Sequence, residues 1–268
     1  MNNAFRCIRS NAGETWIAAA IVTVSLLAGC RAFALPVNGE LIAGEAIISN
    51  PSVSAMHIEQ ESSHAIINWR SFGIGRDESV NVAQPDALSI LLNRVSGNDP
   101  TEIFGTLTAN GQIFLINPNG ILFAPGASIN VGGLVASTLA IKDKDFLSKK
   151  YAFFQNGMTG PVVNQGALNG GFVALLGNKV INSGRIITTR GTTGIASGER
   201  VTLDVDPCGL LAIKVEQAAY NAQIENSGVI EADNGTVVIS APAADMLLAS
   251  VVNNSGKIRA SKIGRAHV

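Results

Sequence analysis

The side chains that could bind a metal or transfer a proton are few and lie far apart in the sequence. The three histidines are His57, His64 and His267, and no cysteine lies near any of them in the sequence. Structural zinc sites need Cys and His at short, regular spacings, so this arrangement predicts no zinc site. The G-x-S-x-G, P-loop and calcium-binding nonapeptide patterns are also absent from the sequence. We therefore expect no metal and no cofactor.

Two pairs of aspartates are the remaining candidates for chemistry, at Asp143/Asp145 and Asp204/Asp206. Paired carboxylates hydrolyse glycosidic bonds in many enzymes, because one acts as an acid and the other as a base or nucleophile. Both pairs lie in polar stretches where solvated turn carboxylates are common. We expect that the protein is not an enzyme, and a β-helix enzyme that degrades polysaccharides is the remote alternative.

The composition describes a folded, apolar chain with almost no net charge. Of the 268 residues, 47% are hydrophobic and 15% are charged, and the formal net charge is -1. No basic patch is present in the sequence, so we expect no binding to nucleic acid. The 28 glycines and 9 prolines lie among many Val, Ile and Leu residues, which is typical of short strands joined by tight turns.

The sharpest turn signal is the segment Asn117-Pro118-Asn119-Gly120-Ile121, which lies between two apolar runs. Pro118 fixes its own φ and favours an extended conformation for Asn117. Asn119 and Gly120 are the residue types that most often take a positive φ. The segment therefore predicts a strand, a tight turn and a second strand, and an ordinary hairpin turn is one reading of it.

The N-terminus has the features of an export signal. Two arginines precede an apolar run at residues 17–28, which is too short to span a bilayer comfortably. The small residues Ala32 and Ala34 then form an A-x-A cleavage site, so we predict that residues 1–34 are a signal peptide. The alternative is lipoprotein processing with acylation at Cys30. Both interpretations imply export.

A short consensus, N-[SQ]-G-x-[IL], recurs four times in the C-terminal half. Its asparagine and glycine pairs are Asn164 and Gly166, Asn182 and Gly184, Asn226 and Gly228, and Asn254 and Gly256. The intervals between them are 18, 44 and 28 residues. About 20 residues suit one coil of a parallel β-helix with three short strands. The longer intervals then predict insertions, and the candidates are residues 204–223, with a helix-like segment at residues 214–223, and residues 241–250.

Stacking of coils gives the consensus a physical reason. Strands of neighbouring coils lie about 4.8 Å apart, so equivalent turn residues lie above one another. We expect each Asn to bond its own backbone and the neighbouring coil, and each Gly to supply a positive φ. After the first three copies, Gly171, Gly198 and Gly235 precede apolar runs that we assign to strands of the coil. Independent hairpin turns in a β-sandwich are the alternative, and the charged segment 142–150 is expected to be a solvated loop or short helix.

An ordered series of motifs resembles a known family. The series comprises Ile66-Ile67-Asn68-Trp69, Phe72-Gly73-Ile74-Gly75, Leu92-Asn93-Arg94-Val95, residues 110–121 and Ala136-Ser137-Thr138-Leu139. It resembles the N-terminal secretion domain of the filamentous haemagglutinin and high-molecular-weight adhesin family, the exoproteins of two-partner secretion. The resemblance covers residues 35–268, which we take as one domain of a longer exoprotein. A second family motif, NPNL, is not intact here, and Gln84-Pro85-Asp86 is its nearest match.

The resemblance implies both a fold and a partner. The implied fold is all-β, a right-handed single-stranded parallel β-helix with an N-terminal cap and short extra-helical insertions. The implied partner is an outer-membrane β-barrel transporter with periplasmic polypeptide-binding domains, and the implied secretion motif is Asn117, Pro118, Asn119, Gly120 and Ile121. The protein would be secreted to the surface of a Gram-negative bacterium through the periplasm, as part of an adhesin, a contact-dependent toxin or a haemolysin. Binding to a host-cell surface or glycan is left to downstream regions.

Overall fold

The computed structural model describes residues 34–157, 159–206, 211–219, 222–242 and 252–265. These residues form 26 strands and one short helix, so the predicted all-β class is confirmed. The predicted signal features Cys30 and Ala32 lie outside the described residues. Within the described part of the chain, no helix is both long enough and apolar enough to cross a membrane.

The main body is a parallel β-helix with three faces, as predicted. Each coil within residues 79–226 contributes one short strand to each face, and strands of successive coils pair in parallel. Face A holds β3 (Ala55–Gln60), β5 (Ser79–Ala83), β8 (Thr106–Ala109), β11 (Ser128–Val131), β16 (Ala167–Gly170) and β19 (Arg185–Thr189). Face B holds β4 (His64–Trp69), β6 (Ile90–Val95), β9 (Gln112–Ile116), β12 (Gly133–Ser137), β17 (Val173–Gly177) and β20 (Thr192–Ser197). Face C holds β7 (Thr101–Ile103), β10 (Ile121–Phe123), β15 (Val162–Asn164), β18 (Lys179–Asn182), β23 (Gln223–Asn226) and β25 (Val252–Asn254).

Faces A and B are joined by one long strand near the end of the chain. This strand, β24 (Val229–Ser240), pairs in parallel with β19 of face A and then with β20 of face B. The last described strand, β26 (Lys257–Arg265), continues the same pairing on β24. At the other end, β1 (Glu40–Ala43) and β2 (Ala46–Ser52) pair antiparallel with β4 and β3. These two strands form the expected N-terminal cap.

Two insertions leave the coil after face B and return to it at face C. The first contains β13 (Ala140–Ile141), the helix α1 (Asp143–Leu147) and β14 (Tyr151–Phe154), and the second contains β21 (Arg200–Val205) and β22 (Leu211–Gln217). Their strands form one four-stranded antiparallel sheet, which we call the excursion sheet. The candidate insertion at residues 241–250 lies almost wholly outside the described residues.

The prediction of a helix-like segment at residues 214–223 is wrong. Its residues 214–217 belong to β22 (Leu211–Gln217), which pairs antiparallel with β21. Leu211, Ile213 and Val215 alternate with exposed or partly exposed residues and pack toward the second core, so the apolar period is two and not that of a helix. The predicted short helix within residues 142–150 is present as α1, but it is not merely solvated, because Phe146 is fully buried.

Face B is buried on both sides, which explains its continuous apolar strands. In β9, Ile113 and Leu115 belong to the core inside the β-helix, whereas Phe114 and Ile116 belong to a second core. The second core lies between the outer surface of face B and the excursion sheet, and Phe146 and Phe153 complete it. Each fully buried side chain of this kind contributes about 1.5–3 kcal/mol. The insertions are therefore structural parts of the domain.

His64 lies where α1 packs against face B. Its ring makes an edge-on contact with Phe146 at a centroid distance of 5.8 Å, and its Nε2 is buried without a hydrogen-bond partner. Burial and, after it, the ammonium group of Lys149 lower the pKa of His64 below its usual value, and Asp86 opposes them. Folding therefore favours the neutral imidazole.

We expect the domain to lose stability as the pH falls below the usual histidine pKa of 6.5. A lowered pKa in the folded state means that the unfolded chain binds the proton more readily. The stabilisation by neutral His64 is therefore fully present above pH 6.5 and is lost as the pH falls through the lowered pKa of the folded state. Urea denaturation at about pH 7.5 and about pH 5.5 should show a smaller difference for His64→Gln than for the wild type. The carboxyl groups of Asp86 and Glu231, whose pKa values are also lowered, change protonation below the range between these two pH values. They therefore do not account for the difference. An equal difference in both proteins would contradict the assignment to His64.

Candidate functional site

The four consensus asparagines lie one above another on face C. The register of the parallel strands aligns Asn164 with Asn182, Asn182 with Asn226, and Asn226 with Asn254. Each amide nitrogen donates to the amide oxygen of the next residue, at 2.8, 2.7 and 2.6 Å. We call these four residues the asparagine ladder. Its first three members are buried, so they bind the coils together without exposing an unpaired amide.

The consensus glycines have a role different from the predicted one. Gly166, Gly184, Gly228 and Gly256 are not among the residues with a positive φ. A Cβ atom on Gly184 would instead lie 2.3 Å from the carbonyl oxygen of Gly166, and one on Gly228 would lie 2.1 Å from that of Gly184. Glycine is therefore required because the backbones of neighbouring coils approach too closely for a side chain.

The assignment of Gly198 to the coil is also wrong. Its apolar run, residues 201–203, lies in β21 and pairs antiparallel with β14 of the excursion sheet. The coil glycine after Asn182 is Gly191, which precedes β20, and a Cβ atom on Gly235 would lie 2.1 Å from its carbonyl oxygen. Only the stacking of coils distinguishes Gly191 from Gly198, since both precede strands.

The segment at residues 117–121 forms a tight turn between β9 on face B and β10 on face C. The N–H of Gly120 donates to the carbonyl oxygen of Asn117 at 3.2 Å, which closes the turn with Pro118 at its second position. Gly120 has φ 123°, a value that favours glycine, whereas Asn119 is not among the residues with a positive φ. Of these two residues, only Gly120 therefore has the expected positive φ. The turn is not of type II, because that type requires a positive φ at its third residue, which is Asn119 here.

Asn117 connects three successive coils through its backbone and its side chain. It is fully buried, and its amide nitrogen donates to the Asp99 carbonyl and the Thr101 hydroxyl of the preceding coil, at 3.0 Å each. Its amide oxygen accepts the N–H of Asn119 at 3.0 Å. Its own N–H donates to the carbonyl of Ser137 in the following coil at 3.0 Å. Asn117 is thus an internal cross-link of the β-helix.

Asn119 is the exposed member of the segment. Its amide nitrogen donates to the Gly97 carbonyl at 2.8 Å and to the Asn117 amide oxygen at 3.1 Å, so the side chain is held in one position. On the other side, the N–H of Gly160 donates to the carbonyl of Pro118 at 2.7 Å. The turn is therefore a rigid surface feature supported from both neighbouring coils.

The other candidate groups are not brought together into a catalytic arrangement. Asp143 forms an ion pair with Arg94 at 2.6 Å, which fixes α1 to face B. Asp204 lies in β21, and the described residues contain no cluster of three or more His, Cys, Asp or Glu side chains that could hold a metal. His57 is partly exposed and bonds Asn81 through Nδ1 at 3.0 Å.

Two sets of hydrogen bonds that hold neighbouring coils together were not predicted from the sequence. Gln84 is buried, and its amide nitrogen donates to Gln60 and to the carbonyls of Ser89 and Gln112 at 3.0–3.3 Å, which joins three coils at the position of the incomplete second motif. The loop that contains Gly97 and Asp99 supports the turn at residues 117–121, because its carbonyl oxygens accept the side-chain amides of Asn119 and Asn117. In the sequence, each of these acceptors precedes the asparagine that bonds it by 18 to 22 residues, which is the length of one coil. This spacing is the signal that could have predicted the contact.

Comparison with known families decides what this β-helix is. The family described as "TPS secretion domain" matches residues 37–266, nearly all of the described chain.

The chain belongs to the TPS secretion domain family.

The relatives agree with this family and with the fold. Two curated heme/hemopexin-binding proteins of Haemophilus influenzae are 35% and 30% identical to 85% and 91% of this chain. The crystal structure of the HMW1 secretion domain from Haemophilus influenzae matches 86% of this chain and 72% of its own, with a TM-score of 0.72 and 26% identity. This TPS secretion domain spans 26% and 29% of the two curated relatives.

The family settles the general role of the β-helix. A TPS secretion domain directs an exoprotein to secretion, and it works with an outer-membrane transporter as its partner. Domains of this family occur in adhesins and binding proteins of Gram-negative bacteria, which are secreted through the periplasm. The predicted family and secretion-targeting function are therefore confirmed.

Proposed function

We propose that the turn at residues 117–121 is the secretion motif of this domain, and that its exposed part contacts the transporter. The observation that carries the proposal is the exposure of Asn119 within an otherwise buried or half-buried segment. A recognition residue must be accessible and held in place, because ordering a mobile side chain weakens binding. Asn119 meets both requirements through its bonds to Gly97 and Asn117.

The other four residues of the motif would act by shaping the turn. Asn117 is fully buried and Ile121 is nearly so, so neither offers its side chain to a partner in the folded domain. Gly120 supplies the positive φ, and Pro118 occupies the turn position that proline favours. The proposal thus divides the motif into a residue that recognises the partner and residues that build the fold.

The proposed site of contact is the periplasmic polypeptide-binding part of the transporter. Export would begin with removal of residues 1–34, after which the chain crosses the periplasm and folds as a β-helix at the cell surface. The role is recognition and folding rather than catalysis. The pairing of Asp143 with Arg94 supports this view, because this carboxylate holds α1 against face B.

The longer exoprotein is proposed to be an adhesin or binding protein. Two relatives carry the name heme/hemopexin-binding protein, which favours a binding role over that of a contact-dependent toxin or a haemolysin. Binding to a host-cell surface or glycan would belong to segments outside this domain, since the domain spans about a quarter of those relatives.

We expect Asn119→Ala to reduce the amount of secreted protein severalfold while the stability of the purified domain changes by less than about 1 kcal/mol. The side chain is exposed, so its loss leaves no large buried group unpaired. Secretion is measured by immunoblot of the culture supernatant and the cell fraction, with and without the co-expressed transporter.

The matched control is Asn130→Ala. Asn130 is an exposed asparagine on face A with side-chain bonds to Ser128 and Asn169, whereas the motif connects faces B and C. The Asn130→Ala variant should be secreted like the wild type. Equal secretion of both variants, or release of the wild type without the transporter, would refute the proposed role of Asn119.

A further inference from the structure

A small cavity with both polar and apolar lining residues lies between face B and the excursion sheet, away from the turn at residues 117–121. Its volume is about 110 Å³, enough for a few waters or one small molecule. Its lining residues are His64, Leu88, Ile90, Gln112, Lys149, Tyr151, Val205 and Asp206. Most of the surrounding second core is apolar, so polar lining at this position requires an explanation.

Two lining side chains have buried polar atoms without partners. Gln112 is 6% exposed, and its Oε1 makes no hydrogen bond. His64 has an equally unpartnered and buried Nε2. The strand register places these two residues on either side of Ile90, in one column on face B. Buried unpaired polar atoms destabilise a fold by about 1–3 kcal/mol each, so a ligand that supplies partners to both atoms would stabilise this one.

The histidine offers a donor to the cavity. Its Nδ1 lies 3.2 Å from the hydroxyl of Ser63. In the tautomer in which this hydroxyl donates to Nδ1, the ring proton lies on Nε2. The carboxamide of Gln112 presents either its oxygen or its amino group, because the two are exchanged by a simple rotation. Burial raises the pKa of Tyr151 to about 12, so its hydroxyl keeps its proton and is also able to donate.

The strongest charge that acts on the histidine is positive. Lys149 is the strongest charged influence on His64, ahead of the opposing Asp86. Asp206 also lines the cavity, but it is not among the charges that shift the pKa of His64. The groups around the imidazole therefore combine the ammonium of Lys149 with two carboxylates, Asp86, which acts less strongly, and Asp206, and with neutral donors from face B and from β14.

We propose that this cavity binds a small oxygen anion, a carboxylate or an inorganic oxyanion, between His64, Lys149 and Gln112. One oxygen of the anion accepts the Nε2 proton of His64 and the ammonium group of Lys149 supplies the opposite charge. The Gln112 amide, turned to present its amino group, donates to a second oxygen. The apolar side chains of Leu88, Ile90 and Val205 cover the remainder of a small ligand.

The test is the titration of His64 by NMR in the purified chain from residue 35 onward. Histidine ring resonances are followed against pH in sodium chloride, sodium acetate and sodium phosphate at equal ionic strength. A bound anion stabilises the imidazolium, so acetate or phosphate should raise the pKa of His64 by about one unit relative to chloride. Acetate alone would identify a carboxylate site, phosphate alone an inorganic oxyanion site, and both a general oxygen-anion site.

Three variants and one internal control make the result specific. Lys149→Met should abolish the rise, whereas Lys144→Met, at an exposed lysine of α1 that does not line the cavity, should preserve it. Gln112→Leu should reduce it if the amide holds the second oxygen. His57 lies on face A and does not line the cavity, so its ring resonances serve as the control for effects of the salts on the whole domain. No rise in either salt, or an equal rise at His57, would show that the cavity holds water only and would overturn the proposal.

Discussion

Replacement of Asn117 with alanine is expected to lower the free energy of unfolding of the domain by about 2–3 kcal/mol. The substitution removes two donated bonds, to Asp99 and Thr101, and leaves the N–H of Asn119 without its acceptor. Thr101 is fully buried, so water does not readily replace the lost partner. The loss should appear in a urea titration as a lower midpoint with an unchanged slope.

The comparison of Asn117→Ala with Asn119→Ala separates two ways in which the motif could act. If the turn serves secretion only through the fold, the secreted amount should follow stability, and Asn117→Ala should be much the worse variant. If Asn119 contacts the transporter, Asn119→Ala should reduce secretion as strongly as Asn117→Ala despite its small effect on stability. A normal stability for Asn117→Ala would show that its buried bonds matter little.

Replacement of Gly228 with alanine is expected to destabilise the β-helix by about 3 kcal/mol or more. The added Cβ would lie 2.1 Å from the carbonyl oxygen of Gly184 and 2.8 Å from the carbonyl carbon of Ser183. Both contacts are with backbone atoms, which cannot move without separating two coils. Coil separation would also lengthen the bond between Asn182 and Asn226 in the asparagine ladder. Thermal and urea unfolding of the purified domain measure the loss.

Gly126→Ala is the matched control for steric contact. Gly126 has φ 91°, and a Cβ there would meet no atom within 4 Å. Its substitution should cost only the conformational strain of a left-handed residue, about 1–2 kcal/mol. An equal or smaller loss for Gly228→Ala would contradict the account in which close approach of the coils, and not backbone conformation, selects glycine in the consensus.

Local patterns in the sequence were sufficient to predict the class of the fold and the position of the turn. Apolar residues between Asn, Gly and Pro predict short strands wherever they occur, because these preferences act over a few residues. The recurrence of Asn164, Asn182, Asn226 and Asn254 predicted stacked coils, and the irregular intervals between them predicted insertions. The conformation of the inserted segment at 214–223 was misread, because a strand of a covering sheet and a short amphipathic helix differ little in so few residues.

The roles of individual residues depended on contacts between coils. The sequence by itself determined an all-β chain with repeated asparagine turns, a member of the two-partner secretion family by its motifs, and a tight turn at residues 117–121. Only the tertiary structure decided that Asn117 is a buried cross-link while Asn119 is exposed, that Gly228 avoids a backbone collision, and that Phe146 anchors an excursion. The reason is physical: strand and turn preferences are local, whereas burial and close approach depend on which segments of other coils lie above and below each residue.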